Sequence, residues 1–283
     1  MADMRSIKAR MKSVENIGQI TKSLKTVSAA KLRGVQVRLA GTAVFSEKCR
    51  DILREIIASG AGADNPLIRP HAEDKTVCYV VLLGSRGLCG GYNTALVKHL
   101  AGLIAKEERN SIVVAVGHWG RESLAAAGIE PIRRIDEVGD IPKPEEAAAL
   151  AQYLKELYLS YQADSVELVY QHYVSALSQT PASRPLLPLK TEDIVQKRSE
   201  YIFEPDRDTL IEKLVQLEID NQVYSVLLEA KKGEHSARMN TMSAAAENTD
   251  ELLDELLLEM NHVRQTAITT ELAEIMGSNG KTD

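Results

Sequence analysis

Apolar residues recur at steps of three and four at both ends of the chain, a spacing that predicts a long amphipathic helix at each end. The carboxy-terminal stretch from about Thr209 to Met276 contains no proline and one interior glycine, Gly233, and would be roughly 100 Å long as one helix. We expect the capping box at 209–212 to start this helix and Gly277 to stop it. The predicted apolar stripe consists of Leu210, Leu214, Leu217, Tyr224, Leu228, Met239, Met242, Ala246, Leu253, Leu256, Met260, Val263, Ala267 and Ile275. Such a stripe needs a long partner.

The amino-terminal stretch from Ser6 to about Ala58 also lacks proline and would span roughly 80 Å as a helix. The apolar residues of its predicted face are Ile7, Met11, Val14, Ile17, Ile20, Leu24 and Val27. Three glycines, Gly18, Gly34 and Gly41, each lower the helix propensity by about 1 kcal/mol relative to alanine. They mark either points where a second backbone approaches closely or simple tolerance, and the sequence leaves both readings open.

Between these stretches the hydrophobic pattern changes to that of buried strands. Continuous apolar runs rich in β-branched residues predict parallel strands at 76–83, 111–117 and 165–175, and Tyr201–Phe203 is expected to form a short last strand. The predicted helices of this region run from the glycine-rich loop to about Glu108, over 121–127 and over 144–162. Strands that alternate with helices predict a small α/β domain with a parallel core.

The predicted fold is therefore an antiparallel coiled coil of the long terminal helices with an inserted small Rossmann-like α/β domain. Its predicted parts are an amino-terminal helix at 1–58, a linker at 59–75, the α/β domain at 76–205 and a carboxy-terminal helix at 206–283. Charge supports the pairing, because residues 1–40 carry a balance of +7 and residues 247–276 one of −7. The register is not fixed by the sequence, and two separately solvated faces remain the alternative.

Composition narrows the function classes. The 283 residues are 44% hydrophobic but only 4% aromatic, which suits long helices better than a large ligand-filled cavity. A net charge of −6 argues against a nucleic-acid binder, although the basic amino-terminal third keeps that option open. We expect no membrane span and no secretion, because no run of eighteen apolar residues and no apolar signal core occur. The three cysteines lack any CxxC spacing and are expected to be reduced thiols.

The candidate chemistry is weak throughout the chain. The loop Gly84–Gly91 follows the first strand, where backbone N–H groups can bind phosphate, but it matches neither GxGxxG nor GxxxxGK[ST], so we favour a tight structural turn over a nucleotide pocket. Cys89 has no evident histidine partner and is interpreted as structural. No two histidines have i, i+4 spacing, and Glu145 and Glu146 are interpreted as a solvated helix face, so we expect no metal site and no acid–base pair. A mechanical or interaction role is favoured.

Several segments carry a resemblance to a known family. They are ITKSLKTVSAAKL at 20–32, SRGLCGGYN at 85–93, SALSQTP at 175–181, ARM at 237–239 and RQTAITTELAEI at 264–275. In this order, through essentially the whole chain, they resemble the F-type ATP synthase gamma subunit. The family usually has methionine in place of Leu24, more often glutamine in place of Gly18, and Gly-Ala in place of Ser278-Asn279, and these departures bear on the packing and flexibility of the shaft. The cysteine-pair insert of the chloroplast form is missing, so the resemblance implies a bacterial enzyme without thiol control.

The resemblance implies a rotor shaft. In the family the coiled coil stands inside a ring of three alpha and three beta subunits, and the α/β domain sits at the foot, where the epsilon subunit and the membrane c ring bind. The nucleotide and magnesium sites belong to beta and alpha, so this chain is expected to have no catalytic, cofactor-binding or metal-binding residues of its own. It is expected on the cytoplasmic side of a bacterial cell membrane, as a peripheral protein that does not insert into the bilayer and binds no nucleic acid.

Position-matched resemblance also implies the partner contacts. Residues on the carboxy-terminal helix are expected at a catch loop of beta, residues on the amino-terminal helix near a beta interface, and one arginine at a rotor–stator contact. The residues on the carboxy-terminal helix are Arg264, Gln265, Thr269 and Glu271. The residues on the amino-terminal helix are Leu24 with Lys22 and Lys25, and the arginine at the rotor–stator contact is Arg238. Two other classes remain open, a nucleic-acid-binding coiled-coil scaffold suggested by the basic first forty residues and a Rossmann-like enzyme suggested by the loop Gly84–Gly91.

Overall fold

The computed structural model describes residues 2–58, 62, 64–136, 138–189, 204 and 206–279. The helices are α1 (Ala2–Ala58), α2 (Tyr92–Ile104), α3 (Arg121–Ala126), α4 (Pro144–Leu159) and α5 (Arg207–Asn279), with a 3-10 turn at His118–Gly120. The strands are β1 (Thr76–Leu82), β2 (Asn110–Val116), β3 (Arg133–Ile135), β4 (Ser165–Tyr173) and β5 (Gln179–Leu187). Two long terminal helices flanking a central sheet confirm the predicted fold class.

Residue contacts divide the chain into two compact units. Unit 1 consists of Met1–Val27 and Met239–Asp283, and unit 2 consists of Ser28–Arg238. Both terminal helices contribute to both units, because α1 continues past Val27 and α5 begins well before Met239. The domain boundaries derived from the sequence stay predictions.

The core of unit 2 is a five-stranded sheet in the order β3-β2-β1-β4-β5. β1 lies in its centre, parallel to β2 and β4, and β2 is parallel to β3. Alternate side chains of β1 enter two separate hydrophobic clusters: Val80 and Leu82 pack in the cluster that contains α4 and α5, and Val77 and Val81 pack in the cluster that contains α2. A strand covered on both faces explains why its sequence is a continuous apolar run.

The three predicted parallel strands are confirmed, whereas two edge strands were not predicted. β3 has only three residues, too few for a recognisable pattern. β5 pairs antiparallel with β4 and contains Pro181 and Pro185, which point to a turn in a sequence but are tolerated at a sheet edge. The strand predicted at Tyr201–Phe203 lies outside the described residues.

The predicted ends of α5 are wrong by two residues at the start and three at the end, because the helix runs from Arg207 to Asn279. The N–H of Thr209 donates a hydrogen bond of 2.9 Å to Oδ1 of Asp206, so Asp206 caps the helix and the capping box at 209–212 does not. Acidic side chains accept such bonds well, and this bond lowers the pKa of Asp206. Gly277 does not stop the helix, which continues to Asn279.

In unit 1 the two terminal helices run antiparallel, as predicted. Lys22 Nζ lies 2.9 Å from Oδ1 of Asp250, and Lys25 Nζ donates to Oγ of Ser243 at 2.9 Å, so the partner number falls as the α1 number rises. A Cβ atom on Gly18 would lie 3.1 Å from Oγ1 of Thr249, so this glycine marks a close approach of the two helices. Gly41 has nothing within 4 Å of that position and is simply tolerated.

Part of the predicted apolar face of α1 is wrong. Ile17, Ile20 and Val27 are 49%, 59% and 48% exposed, whereas Thr21 and Ser28 are buried. The close approach at Gly18 favours the small Thr21 on the inside, and the hydroxyl of Thr21 is satisfied within its own helix by the carbonyl of Gly18 at 2.9 Å. Along α5 the predicted stripe is buried or half-buried through Ala267, but Ile275 is 60% exposed.

None of the helices in the described ranges carries an apolar stretch long enough to cross a lipid bilayer.

Candidate functional site

The predicted contact residues of α1 lie on the part of the helix that belongs to unit 1. Lys22 and Lys25 are exposed and reach across to Asp250 and Ser243 of α5, and Leu24 between them is half-buried. The ion pair of Lys22 with Asp250 is solvated, because the two side chains are 57% and 56% exposed. Its ammonium group is therefore available to a further acidic partner.

The predicted contact residues of the α5 tail form a second group. Arg264, Gln265, Thr269 and Glu271 are all exposed, and the hydroxyl of Thr269 donates to the backbone carbonyl of Gln265 at 2.9 Å. Fourteen residues separate Arg264 from Asp250, the ion-pair partner of Lys22, which corresponds to about 20 Å along the helix axis. The structure therefore places the two groups at different levels of unit 1.

The sequence analysis missed an apolar surface beside the second group. Its members, which we call the outer stripe, are Ile268, Leu272, Ile275 and Met276, and they are 49%, 56%, 60% and 76% exposed. Their spacing of four, three and one residues was visible in the sequence, but only Ile275 was noted, and it was assigned to the contact with α1. A contiguous apolar stripe facing solvent indicates contact with another surface.

In unit 2 the glycine-rich loop forms a tight turn between β1 and α2. Leu88 and Gly90 adopt the left-handed backbone conformation with φ of 61° and 59°, and the N–H of Gly84 donates to Oδ1 of Asn93 at 2.8 Å. Gly87 has no room for a side chain, because a Cβ atom there would lie 2.6 Å from the ring of Trp119. The cavity beside Ser85 has a volume of about 10 Å³, which is room for no more than about one water molecule.

A buried charged cluster on α5 holds this loop. We call its members, Lys231, Glu234, His235 and Arg238, the α5 clamp; their exposed fractions are 4%, 1%, 0% and 6%. Oε1 of Glu234 accepts hydrogen bonds from the N–H of Arg86 at 3.3 Å and from Nη2 of Arg238 at 2.7 Å, and Oε2 accepts from Lys231 at 2.8 Å. Burial raises the pKa of Glu234, but the adjacent cations outweigh burial and its pKa is lowered overall.

The cations of the clamp continue into the loop. Arg238 donates through Nε to the carbonyl of Gly87 and through Nη2 to the carbonyl of Arg86, both at 3.0 Å, and Lys231 donates to Oγ of Ser85 at 2.5 Å. The loop carbonyls of Arg86 and Gly87 are thus paired with one cation of the same chain, Arg238. These contacts make the loop a structural element of the helix–sheet junction.

His235 and Asp140 extend the network to α1. Nε2 of His235 donates to the backbone carbonyl of Asp140 at 2.7 Å, and Nδ1 accepts from Arg238 at 3.3 Å, a pattern that requires the neutral imidazole. Burial lowers the pKa of His235, consistent with that state. The Asp140 carboxylate accepts from Lys31 of α1 at 2.5 Å and pairs with Arg86 at 3.1 Å. Burial raises the pKa of Asp140, but these cations lower it overall.

Arg238 is thus placed differently from the other predicted contact residues. Its guanidinium group is buried and bound within its own chain, whereas the other seven residues lie in unit 1 and are exposed or half-buried. Its contact with another subunit stays a prediction.

Cys89 and Glu146, the weaker candidates for chemistry, are placed where they have no evident chemical role. Burial raises the pKa of the Cys89 thiol, which therefore stays protonated at neutral pH and is a poor nucleophile. Glu146 accepts the N–H of Lys143 at 2.9 Å at the start of α4. Within the described ranges no group of three or more His, Cys, Asp and Glu side chains is arranged to hold a metal ion.

Comparisons with known proteins agree with this geometry. The family model described as ATP synthase matches residues 3–279. The ATP synthase gamma chains of Desulfitobacterium hafniense and Desulforamulus reducens are 37% and 36% identical to this chain, in each case over 98% of both chains. Among solved structures, the rotor of the Euglena gracilis mitochondrial ATP synthase gives a TM-score of 0.66 at 22% identity, covering 94% of this chain and 99% of the other. A central-stalk and c-ring structure from Tetrahymena thermophila gives 0.60 at 25% identity, covering 80% and 99%.

Proposed function

Because this chain belongs to the ATP synthase gamma chain family, we propose that it is the central rotor shaft of an F-type ATP synthase, turning inside a ring of three alpha and three beta subunits. The observation that carries the proposal is the match to bacterial gamma chains over 98% of both lengths. The two long terminal helices, which run antiparallel in unit 1, support it, because a central shaft requires long helical elements. In this role the chain couples ion flow through the membrane sector to ATP synthesis or hydrolysis at the beta subunits.

The mechanism follows from asymmetry. A single rod cannot present the same surface to three identical catalytic subunits, so each subunit is biased toward a different conformation, and rotation exchanges the biases. Switching one subunit from 1:99 to 99:1 requires about 5.5 kcal/mol of differential contact energy. A few charge-assisted hydrogen bonds at about 1.5–3 kcal/mol each supply that amount.

The exposed groups of unit 1 are the proposed source of these contacts. Gln265, Thr269 and Glu271, with Arg264, are proposed to meet the catch loop of beta, and the outer stripe beside them supplies apolar area. On α1 the proposed contacts are made by Leu24 and by Lys22 and Lys25, whose ammonium groups suit acidic loops. Arg238, which is buried in unit 2, is proposed at a rotor–stator contact from the family resemblance alone.

The remaining partners are proposed from the family. They are the epsilon subunit and the membrane c ring, which place the chain as a peripheral protein on the cytoplasmic side of a bacterial cell membrane. Catalysis is assigned to the beta subunits, so the isolated chain is proposed to hydrolyse no ATP and to need no cofactor or metal ion of its own.

Affinity purification of the chain from its native membranes tests the proposal, with subunit stoichiometry measured by mass spectrometry and ATPase activity measured on the complex and on the isolated chain. We expect one copy with three alpha and three beta subunits, activity in the complex and none in the chain. A solitary chain, a chain bound to nucleic acid, or a chain with its own ATPase activity would overturn the proposal.

A further inference from the structure

We propose that the α5 clamp, together with Asp140, is the torsional anchor of the shaft: it fixes the rotational angle of α5 and of α1 relative to the α/β sheet, so that torque passes between them without slip. This inference rests on the proposed rotor function and names the residues of unit 2 that carry the load. It concerns contacts within unit 2 only.

Both carboxylate oxygens of Glu234 accept hydrogen bonds. The donors are Lys231, Arg238 and the N–H of Arg86, which links about two turns of α5 to the loop after the central strand. The pairs with Lys231 and Arg238 lie within α5 and hold the carboxylate of Glu234, which is 1% exposed, in a defined geometry. Rotation of α5 would break the hydrogen bond between this carboxylate and the N–H of Arg86.

The glycine-rich loop after β1 presents two backbone carbonyls to Arg238. The guanidinium group donates to two successive carbonyls, those of Arg86 and Gly87, so its orientation is fixed by two hydrogen bonds. The same segment is held from the other side by Trp119, whose ring lies where a Cβ atom of Gly87 would be. The loop therefore has little freedom to follow a turning helix.

Asp140 is bonded to both shaft helices. Its carbonyl accepts from His235 of α5, and its carboxylate accepts from Lys31 of α1 and from Arg86 of the loop. Lys31 therefore stands in the same hydrogen-bond network as the clamp, although it is more than 200 positions from Glu234 in the chain.

Apolar contacts of α5 with the α/β core run through residues such as Ile219, Val223 and Leu227. Single hydrogen bonds also join Ala230, Glu229 and Ser236 of α5 to Tyr92, Tyr173 and Ala176 of the core. Apolar burial is non-directional and opposes separation more than it opposes rotation about the helix axis. Charged hydrogen bonds depend on angle and distance, so the clamp, which directs several of them at one loop, adds to the resistance of α5 to twisting.

The experiment begins with the isolated chain. Glu234→Gln and the milder, more exposed Lys31→Met are compared with Glu212→Gln and Lys213→Met, which make matched changes at exposed positions of α5 in the same unit. Amide hydrogen exchange is measured with the helix content as a check on folding. We expect exchange of the Arg86 amide to become about tenfold faster in Glu234→Gln, since that amide donates to the carboxylate, and to stay unchanged in both controls.

The decisive measurement uses the assembled complex in membrane vesicles, where ATP hydrolysis and ATP-driven ion pumping are recorded on the same preparation. We expect Glu234→Gln and Lys31→Met to retain hydrolysis while the ratio of pumping to hydrolysis falls by about threefold. The controls should keep the wild-type ratio.

Failure of the inference is distinguishable from failure of the proposed function. If the wild-type chain does not assemble with alpha and beta subunits, the rotor proposal itself fails. If it assembles and pumps, but the clamp variants keep the wild-type ratio or lose hydrolysis and pumping together, the clamp is only a fold-stabilising contact and the torsional anchor is overturned.

Discussion

At the scale of single residues, the most consequential feature is that a glutamate, a lysine and an arginine are buried together on one helix. Burial of unpaired charge is costly, so such a cluster is stable only while every member has its partners. Here Glu234 is the common partner of Lys231 and Arg238, and its removal affects all three groups.

We predict that Glu234→Gln lowers the free energy of unfolding of the isolated chain by about 2–3 kcal/mol, because the amide keeps the shape and some hydrogen bonds but leaves two buried cations without a counter-charge. Urea unfolding followed by circular dichroism measures this change. The same substitution at the exposed Glu212 should change stability by less than about 0.5 kcal/mol. Equal effects at the two positions would contradict the geometry of the clamp.

A second residue-scale prediction concerns pH. The pKa of His235 in the folded chain is lowered from 6.5 by burial, so below pH 6.5 the unfolded chain binds a proton that the folded chain resists. The stability that the neutral His235 contributes is therefore fully present above pH 6.5. It is lost as pH falls below that value, with a slope of up to about 1.4 kcal/mol per pH unit for one proton. Unfolding midpoints at pH 7.5 and 5.5 should differ less in His235→Gln than in the wild type; an unchanged difference would exclude His235 as its source.

At the scale of elements, the seam between α1 and α5 is narrow where Gly18 faces Thr249. Alanine normally favours a helix over glycine by about 1 kcal/mol, but a Cβ atom here would lie 3.1 Å from a hydroxyl that already donates to the carbonyl of Ala246 at 2.7 Å. Helix propensity and packing therefore oppose each other at this position.

We predict that Gly41→Ala, where no neighbour lies within 4 Å, stabilises the chain by about 1 kcal/mol, whereas Gly18→Ala is close to neutral. Combining Gly18→Ala with Thr249→Ala should relieve the contact, so that the double variant is more stable than the sum of the single changes. A double-mutant cycle by thermal unfolding measures this coupling. Additive single changes would show that the seam can widen at no cost.

The outer stripe gives a prediction of a different kind. Ile268→Ser and Leu272→Ser replace exposed side chains, so we expect each to change the stability of the isolated chain by less than about 0.5 kcal/mol. In the complex the same side chains are proposed to be covered, and truncating a central apolar contact costs about 1 kcal/mol or more of binding. Measured affinity for the alpha–beta ring should fall while the unfolding midpoint stays constant. The opposite result would place these residues in an internal packing role.

At the scale of the whole molecule, the opposite charges of the two ends contribute less than their totals suggest. The cross-helix ion pair of Lys22 and Asp250 in unit 1 is exposed on both sides, and such pairs contribute about 0–1 kcal/mol. We predict that raising the salt concentration from about 0.05 to 0.5 M changes the free energy of unfolding by less than about 1 kcal/mol, because screening acts on contacts that are already weak. A larger loss would show that long-range attraction holds the coiled coil together.

The sequence was most informative where periodicity is strong. The long helices and the three parallel strands followed from it, because each depends on local spacing, whereas the antiparallel pairing followed from the opposite charges of the two ends. The seam of α1 did not, since the close approach of α5 selects Thr21 and Ser28 over the larger Ile17 and Ile20, and that distance is a tertiary property. The α5 clamp was invisible for the same reason: nothing in the spacing of Lys231, Glu234 and Arg238 distinguishes a buried cluster from the solvated i, i+3 and i, i+4 pairs of an ordinary surface helix.

The seam built from small residues has a consequence for the life of the protein in the cell. Because Gly18, Thr21 and Ser28 occupy the inside, the larger Ile17, Ile20 and Val27 face outward on a chain that has not yet met its partners. Until it assembles with its partner subunits, a newly made chain exposes these apolar side chains and is prone to self-association and to recognition by chaperones and proteases. We therefore expect the abundance of this chain to follow that of the alpha and beta subunits, with any surplus removed by protein quality control.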